Sequence, residues 1–286
     1  MLTITNLGRD FTSGERTLTV LNDINLEISD GEFVAITGPS GSGKSTFLGL
    51  MAGLDRPTRG SIVLNGTELT GLSEDELSRV RGREMGFVFQ SFQLIQTLTA
   101  LENVRVPAEI LGDFEVADRA METLTRVGLA DRANHFPTQL SGGEMQRIAI
   151  ARASITRPSI LFADEPTGNL DSSNGQMIMD ILQELNRTCT LILVTHNPEL
   201  AAMADREVRL KDGRINDIIA HRRSNGQALR ATGASAAGSN GKSKAKATAK
   251  KKSAAKKSAP RKSAGKSAAK TTTRKKAAKK KTKARA

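Results

Sequence analysis

Between an apolar run, Glu32 to Thr37, and a helix-like run, Ser45 to Leu54, lies Gly38-Pro39-Ser40-Gly41-Ser42-Gly43-Lys44-Ser45-Thr46, which fits G-x-x-x-x-G-K-[ST]. Glycines there let the backbone turn tightly at positive φ and aim successive N–H groups at one concave spot that favours anions. A helix opening at Ser45 adds the positive end of its dipole to that spot. Lys44 would reach the β- and γ-phosphates of a nucleotide as a point charge. The Ser45 hydroxyl would ligate Mg²⁺ beside phosphate oxygens and water. Before position 218 the chain uses lysine only at Lys44 and Lys211 and otherwise arginine, so a lysine kept here is informative. The alternative is a Gly/Ser-rich turn without a ligand, which the strand before it and the helix after it disfavour.

Two further stretches carry chemistry. Leu161-Phe162-Ala163-Asp164-Glu165-Pro166 sets two carboxylates at the C-terminal end of an apolar strand, the edge where α/β sheets bind ligands. Asp164 suits the Mg²⁺ site through water, and Glu165 is placed to activate the attacking water as general base. The competing reading is an acidic pair opening a solvated loop. Leu140-Ser141-Gly142-Gly143-Glu144-Met145-Gln146 begins a helix, and Ser141 with the Gly142 and Gly143 amides predicts a second anion cradle. Taken alone, that stretch is a capped helix start.

These residues need elements to hold them. Leu2 to Phe11, Thr19 to Ile28 (with Leu21, Ile24, Leu26 and Ile28 apolar), Phe33 to Thr37 and Ser61 to Asn65 read as strands. Gly86 to Gln90 is another. Beyond Gln90 the pattern turns helical over Leu101 to Leu111, Val116 to Val127 and Gly142 to Arg157. Ser159 to Ala163 and Thr190 to Val194 are apolar strand-length runs flanking a helix from Ser173 to Asn186, the rhythm of a parallel sheet covered on both faces. Val208 to Ile215 predicts a hairpin with an Asp-Gly turn.

Charge divides the chain. No acidic residue follows Asp217, and 23 of the 43 Lys and Arg lie in Ile218 to Ala286. The body therefore holds 20 basic against 30 acidic residues, a net charge of about −10, beside a tail of +23. The tail, Ala231 to Ala286, is built mainly from Ala, Lys, Ser, Thr and Gly with no acidic or aromatic residue; it reads as disordered because it cannot bury enough apolar surface to offset its ordering entropy. Such a segment binds polyanions, nucleic acid or an anionic leaflet, by phosphate neutralisation without base reading. Cys189 is the only cysteine, which excludes an intrachain disulfide and favours a reducing compartment. There is no apolar run of membrane-spanning length and no secretory leader pattern.

With the three motifs in this order, the chain resembles the ATP-binding cassette (ABC) ATPases, whose signature is LSGGQ; Glu144 stands here in place of the glutamine. The resemblance covers about residues 1 to 217 and implies an α/β P-loop NTPase cassette with an antiparallel β subdomain and a helical subdomain at about 91–157. A linker, 218–230, and the tail, 231–286, would follow. The resemblance further implies that Gln90 is the Q-loop glutamine sensing metal and nucleotide, Asp171 in Gly168-Asn169-Leu170-Asp171 the D-loop residue at a dimer interface, and His196 the switch histidine on the γ-phosphate. Phe11 is the candidate for stacking on adenine, with core packing as its competitor. The implied assembly is a homodimer sandwiching two MgATP between Gly38 to Thr46 of one copy and Ser141 to Glu144 of the other, docked at the cytoplasmic face of the inner membrane on a separate permease. Val88 to Leu94, Leu98 to Val104 and Pro166 to Asp171 look like the lipoprotein-releasing (Lol) and macrolide-exporter (MacB-type) ATPases. That likeness places the permease on Ser91 to Val104 and implies export or extraction of a lipoprotein or hydrophobic substrate. The tail resembles linker-histone-like basic tails. A soluble ABC ATPase acting on nucleic acid is the alternative; a single uninterrupted cassette argues against it, and intact Glu165 and His196 argue against a non-catalytic regulator.

Overall fold

The structure, a computed structural model, describes residues 1–14 and 16–221. The tail and most of the expected linker lie outside the described residues. Four strands, β1 (Leu2–Ser13), β2 (Arg16–Ile28), β4 (Arg59–Leu64) and β5 (Thr67–Glu68), form an antiparallel sheet in the order β2-β1-β4-β5. Leu26 and Ile28 face inward opposite Ile4 and Leu2. Leu21 and Ile24 are both buried although three apart, which strict alternation forbids. A register irregularity between them, with Asp23 at φ 59°, restores the phase.

The second sheet has the order β10-β9-β3-β8-β7-β6, from β3 (Phe33–Thr37), β6 (Met85–Phe89), β7 (Ile160–Asp164), β8 (Thr190–Val194), β9 (Arg206–Lys211) and β10 (Arg214–Ala220). All pairs are parallel except β9 with β10. Strands β3 and β8 are buried along their whole length, which is why they read as unbroken apolar runs rather than alternating ones. Asp212 and Gly213, both at positive φ, turn the β9–β10 hairpin. The hairpin is longer than expected. Ile218, Ile219 and Ala220 pair with Val208, Glu207 and Arg206, so the expected linker boundary at 218 gives way to strand, whose ladder satisfies these backbone groups.

Helix α1 (Lys44–Met51) follows the glycine-rich turn, and Gly53 at φ 60° ends it earlier than Leu54. Helices α3 (Ala100–Ile110), α4 (Ala117–Arg126) and α5 (Gly142–Ser154) pack around Val104, Ala120, Leu124 and Ile148 as a separate apolar cluster. The C-terminal end of α5 comes before the expected Arg157, which lies at φ 55° ahead of Pro158. Helix α6 (Ser172–Leu185) buries Ile178, Met179 and Leu182 against the parallel sheet, and the short α7 (Pro198–Ala201) follows β8. Helix α2 (Glu74–Glu84) has no apolar periodicity to read, since it buries only Leu77; its Ser73-x-x-Glu76 capping box was the available signal.

Candidate functional site

The glycine-rich loop hangs between the end of β3 and the start of α1. Gly38 sits at φ 144°, and a Cβ there would meet the Leu210 carbonyl oxygen at 2.2 Å, so β9 packs directly on the turn. Gly43 at φ 98° is the N-cap of α1, and its missing Cβ admits Leu21 from β2. No side chain caps α1, and its first turn carries no acidic residue, so the helix opens with free N–H groups. Lys44 curls over the loop, its Nζ donating to the carbonyls of Gly38 (2.8 Å) and Pro39 (3.0 Å). The buried Ser42 hydroxyl has no hydrogen-bond partner among the described residues. Pro39, Ser40, Gly41 and Ser45 are exposed around it, with Thr46 half-buried.

Neighbouring strand ends bring the acids to the same edge. Asp164 closes β7, and its carboxyl is pushed up by burial and by Glu165, with Lys44 pulling the other way. Glu165 adopts φ 46°, a left-handed backbone costing about 1–2 kcal/mol for a residue with a Cβ. Its N–H donates to the Val194 carbonyl, which pins it to the end of β8. Glu165 Oε1 lies 2.7 Å from His196 Nδ1, and Thr195 Oγ1 donates to Oε2 at 3.3 Å. The His196 ring is 75% exposed, so Nδ1 is engaged while the rest of the ring faces outward.

Gln90 follows β6 and is tied to Asn169: its Nε2 donates to Asn169 Oδ1 (3.2 Å), and Asn169 Nδ2 donates back to the Gln90 carbonyl (3.0 Å). Asp171 is the N-cap of α6. One carboxylate oxygen accepts from the Ser173 and Asn174 N–H groups and the Ser173 hydroxyl, and the other from the Asn174 amide. These bonds hold its carboxyl far below the usual range and argue against a direct nucleotide contact. The cradle at Ser141 is likewise occupied. Ser141 N–H and hydroxyl both donate to Glu144 Oε2 at 2.8 Å, and Glu144 N–H donates back to Ser141 Oγ, a complete capping box. Gly142 and Gly143 complete that helix end, where a Cβ on Gly143 would strike Asn174. Phe11 is 42% exposed, with the Arg9 guanidinium 4.5 Å over its ring, so core packing is excluded.

Several residues that frame the site were given no role of their own by the motifs. Asn169 and Thr195 touch Gln90 and Glu165 directly, and buried Glu207 accepts from the Thr37 hydroxyl at 2.7 Å where β3 enters the loop. Gln146 is fully buried on the apolar face of α5; a polar residue sharing a helical stripe with Ile150 and Ala153 was its only sequence signal. A cavity of about 340 Å³ lies elsewhere, between α4, α5 and α6, with Ile150, Leu161 and Cys189 in its wall. For Mg²⁺ the donors on offer are the Ser45 hydroxyl, Asp164 and Gln90, a hard oxygen set with one carboxylate that burial and Glu165 disfavour as an anion. A divalent cation completed by phosphate oxygens and water fits that set.

Comparison with known proteins identifies the family. The family model described as ABC transporter matches residues 21–168. An uncharacterized ABC transporter ATP-binding protein of Methanocaldococcus jannaschii is 48% identical over 223 residues, covering 77% of this chain and 99% of the relative. YknY, an uncharacterized ABC transporter ATP-binding protein of Bacillus subtilis, is 44% identical over 79% of this chain and 100% of its own length. The macrolide export ATP-binding/permease protein MacB of a Shewanella species is 47% identical over 75% of this chain, which spans only 34% of that relative. Among solved structures, the dimeric ATP-binding cassette MJ0796 in a post-hydrolysis state with ADP and Pi matches with a TM-score of 0.72 and 42% identity, covering 78% of this chain and all of that one.

Proposed function

The chain belongs to the ABC transporter family as an ATP-binding, ATP-hydrolysing subunit, and on that premise we propose that two copies close on two ATP molecules to drive a separate membrane permease. The solved dimeric structure of MJ0796 bound to ADP and Pi supports the sandwich, and MacB, named an ATP-binding/permease protein, supports the partner. Among the described residues no helix is long and apolar enough to cross a membrane, which suits a peripheral subunit at the cytoplasmic face. The permease would contact Ser91 to Val104, and the cargo would be a lipoprotein or another hydrophobic export substrate. The tail, by its charge, is assigned to a polyanionic surface such as an anionic leaflet.

The observation that carries the reading is the Glu165–His196 pair on the sheet edge beside Lys44. Gly38 to Thr46 would wrap the phosphates with backbone N–H groups, Lys44 moving from the loop carbonyls onto the β- and γ-phosphates. Bound Mg²⁺, held by Ser45, Asp164 and Gln90, would neutralise charge on the β- and γ-phosphate oxygens. Glu165 takes a proton from water as the water oxygen bonds to the γ-phosphorus; the bond from that phosphorus to the bridging oxygen breaks, and its electron pair leaves with ADP. With Glu165 ionised, His196 Nδ1 donates the hydrogen between them, and a bond from Nε2 to the γ-phosphate requires a proton on that nitrogen as well. Ser141, Gly142 and Gly143 would close the partner's site, and Phe11 would stack on the adenine.

The test is Glu165→Gln. The amide keeps the shape but cannot take the proton, so ATP binding stays while steady-state turnover falls about 10²- to 10⁴-fold. An ATP-bound dimer should accumulate in size-exclusion chromatography. Turnover near that of the parent would refute the assignment.

A further inference from the structure

Gln146 has no exposed surface, and its side chain is spent on backbone from two other segments. Its Nε2 donates to the Pro166 carbonyl at 2.7 Å and the Phe89 carbonyl at 3.3 Å, while Oε1 has no hydrogen-bond partner among the described residues. Turning the amide over would set Oε1 against two carbonyl oxygens, so the N–H bonds decide its orientation. Phe89 immediately precedes Gln90, and Pro166 immediately follows Glu165. One buried amide therefore touches the backbone beside two of the residues assigned to the reaction.

The rest of α5 is seated on the same strand. A Cβ on Gly86 would meet the Ala153 carbonyl oxygen at 2.3 Å, so α5 rests on β6 at that point without an intervening side chain. From 146 to 153 a helix advances about 10.5 Å, and from 86 to 89 a strand advances about 10 Å, so both contacts lie on one straight seam. Past Gln90, Arg152 donates to the carbonyls of Phe92 (3.0 Å) and Gln93 (2.6 Å), both at positive φ. Helix α5 thus grips the backbone on each side of Gln90, and its N-terminus is the Ser141 turn.

We propose that Gln146 is a positioning residue: its two N–H bonds transmit the seating of α5 to Gln90 and Glu165, so that the general base is correctly aimed only when the helix bearing Ser141 is in place. The inference rests on the reading above, in which Glu165 is the base and Ser141 closes a partner's site. It adds the physical link between them within one chain.

The test uses the full chain with MgATP. Gln146→Met keeps the length and removes both donors; kcat should fall about 10- to 100-fold from misplacement, with KM for ATP within about twofold of the parent. Gln146→Glu supplies a second readout. Ionised, the carboxylate has no proton to give and faces two carbonyls; protonated, it regains one donor for Pro166. Burial raises its pKa, so the ratio of variant to parent turnover should rise as pH falls from about 8 to about 6. Dividing by the parent removes the pH dependence that the two proteins share. A flat ratio, or a Gln146→Met protein with the parent's kcat, overturns the proposal. Glu165→Gln is run alongside: if it turns over normally the underlying reading has failed, whereas if it is dead while Gln146→Met is unimpaired, only the role of Gln146 has failed.

Discussion

Two helices in this protein open from a Ser/Gly-rich turn, and they open in opposite electrostatic states. Helix α1 begins at Gly43 with no side-chain cap and no acid in its first turn, under the ammonium of Lys44. Helix α5 begins at Ser141 with its hydroxyl and N–H already given to Glu144, whose carboxylate also lies 3.5 Å from Arg132. An uncapped helix end is a ready anion site; a capping box has supplied its own anion. On the proposed reading, the difference suits α1 to the phosphates of this chain's own nucleotide. It leaves α5 a sturdy edge that would meet phosphate only when a partner brings one, in competition with Glu144.

The sharpest way to break that comparison is Lys44→Ala. Removing the charge-assisted bonds at the uncapped end should weaken ATP binding by about 100-fold in a fluorescent-nucleotide titration. Parent-like affinity would show that α1 is not the phosphate site.

Ser141→Arg puts bulk and charge at the capped end. Monomer affinity for ATP should stay within about twofold of the parent while turnover drops about 10-fold or more, because the defect lies in the partner's site. Mixed with Lys44→Ala chains, it can leave at most one composite site intact. Loss of ATP affinity in the monomer itself would remove the distinction between the two helix ends.

Glu144→Gln tests the competition directly. Glutamine still caps but carries no charge, so nucleotide-driven dimerisation should strengthen while the protein loses about 0.5–1 kcal/mol of stability in urea titration. The bonds from Ser141 hold the Glu144 carboxyl below its usual range. Its contribution is therefore complete above the unfolded-state value of about 4.3 and fades as pH falls through the lower folded value. The stability gap between parent and variant should close on acidification through that window; a gap that widens there contradicts the capping account.

The smallest effects are expected away from both turns. Phe11→Ala should raise KM for ATP about 5-fold with kcat kept, since stacking is worth about 1 kcal/mol. Cys189, whose thiol burial pushes up to about 11, should resist alkylation at neutral pH and react only on unfolding; fast labelling of the native chain would mean that the cavity beside it opens.

Much of this was legible in the sequence because the chemistry is local. Gly38 to Thr46, Asp164-Glu165 and Ser141 to Gly143 are each contiguous, and Gly38, Gly41 and Gly43 sit at φ values that other residues rarely adopt. The buried strands β3 and β8 announced a covered parallel sheet by their unbroken apolar character. Helix α2 was not legible, because a single buried leucine makes no periodic stripe. The full length of β10 was not either, since its edge residues are held by ladder bonds rather than by an apolar pattern.

The sequence by itself thus determined which backbone turns must exist and which residue types they carry, since glycine freedom, capping chemistry and strand burial act within a few residues of one another. Only the tertiary structure decided how the side chains are spent. Gln90 meets Asn169, Glu165 meets His196, Gln146 reaches Phe89 and Pro166, and Asp171 and Ser141 turn their oxygens to their own helices. Most of those partners are brought together by the sheet order, and a hydrogen bond between segments 20 to 79 residues apart follows no period that a linear reading can detect.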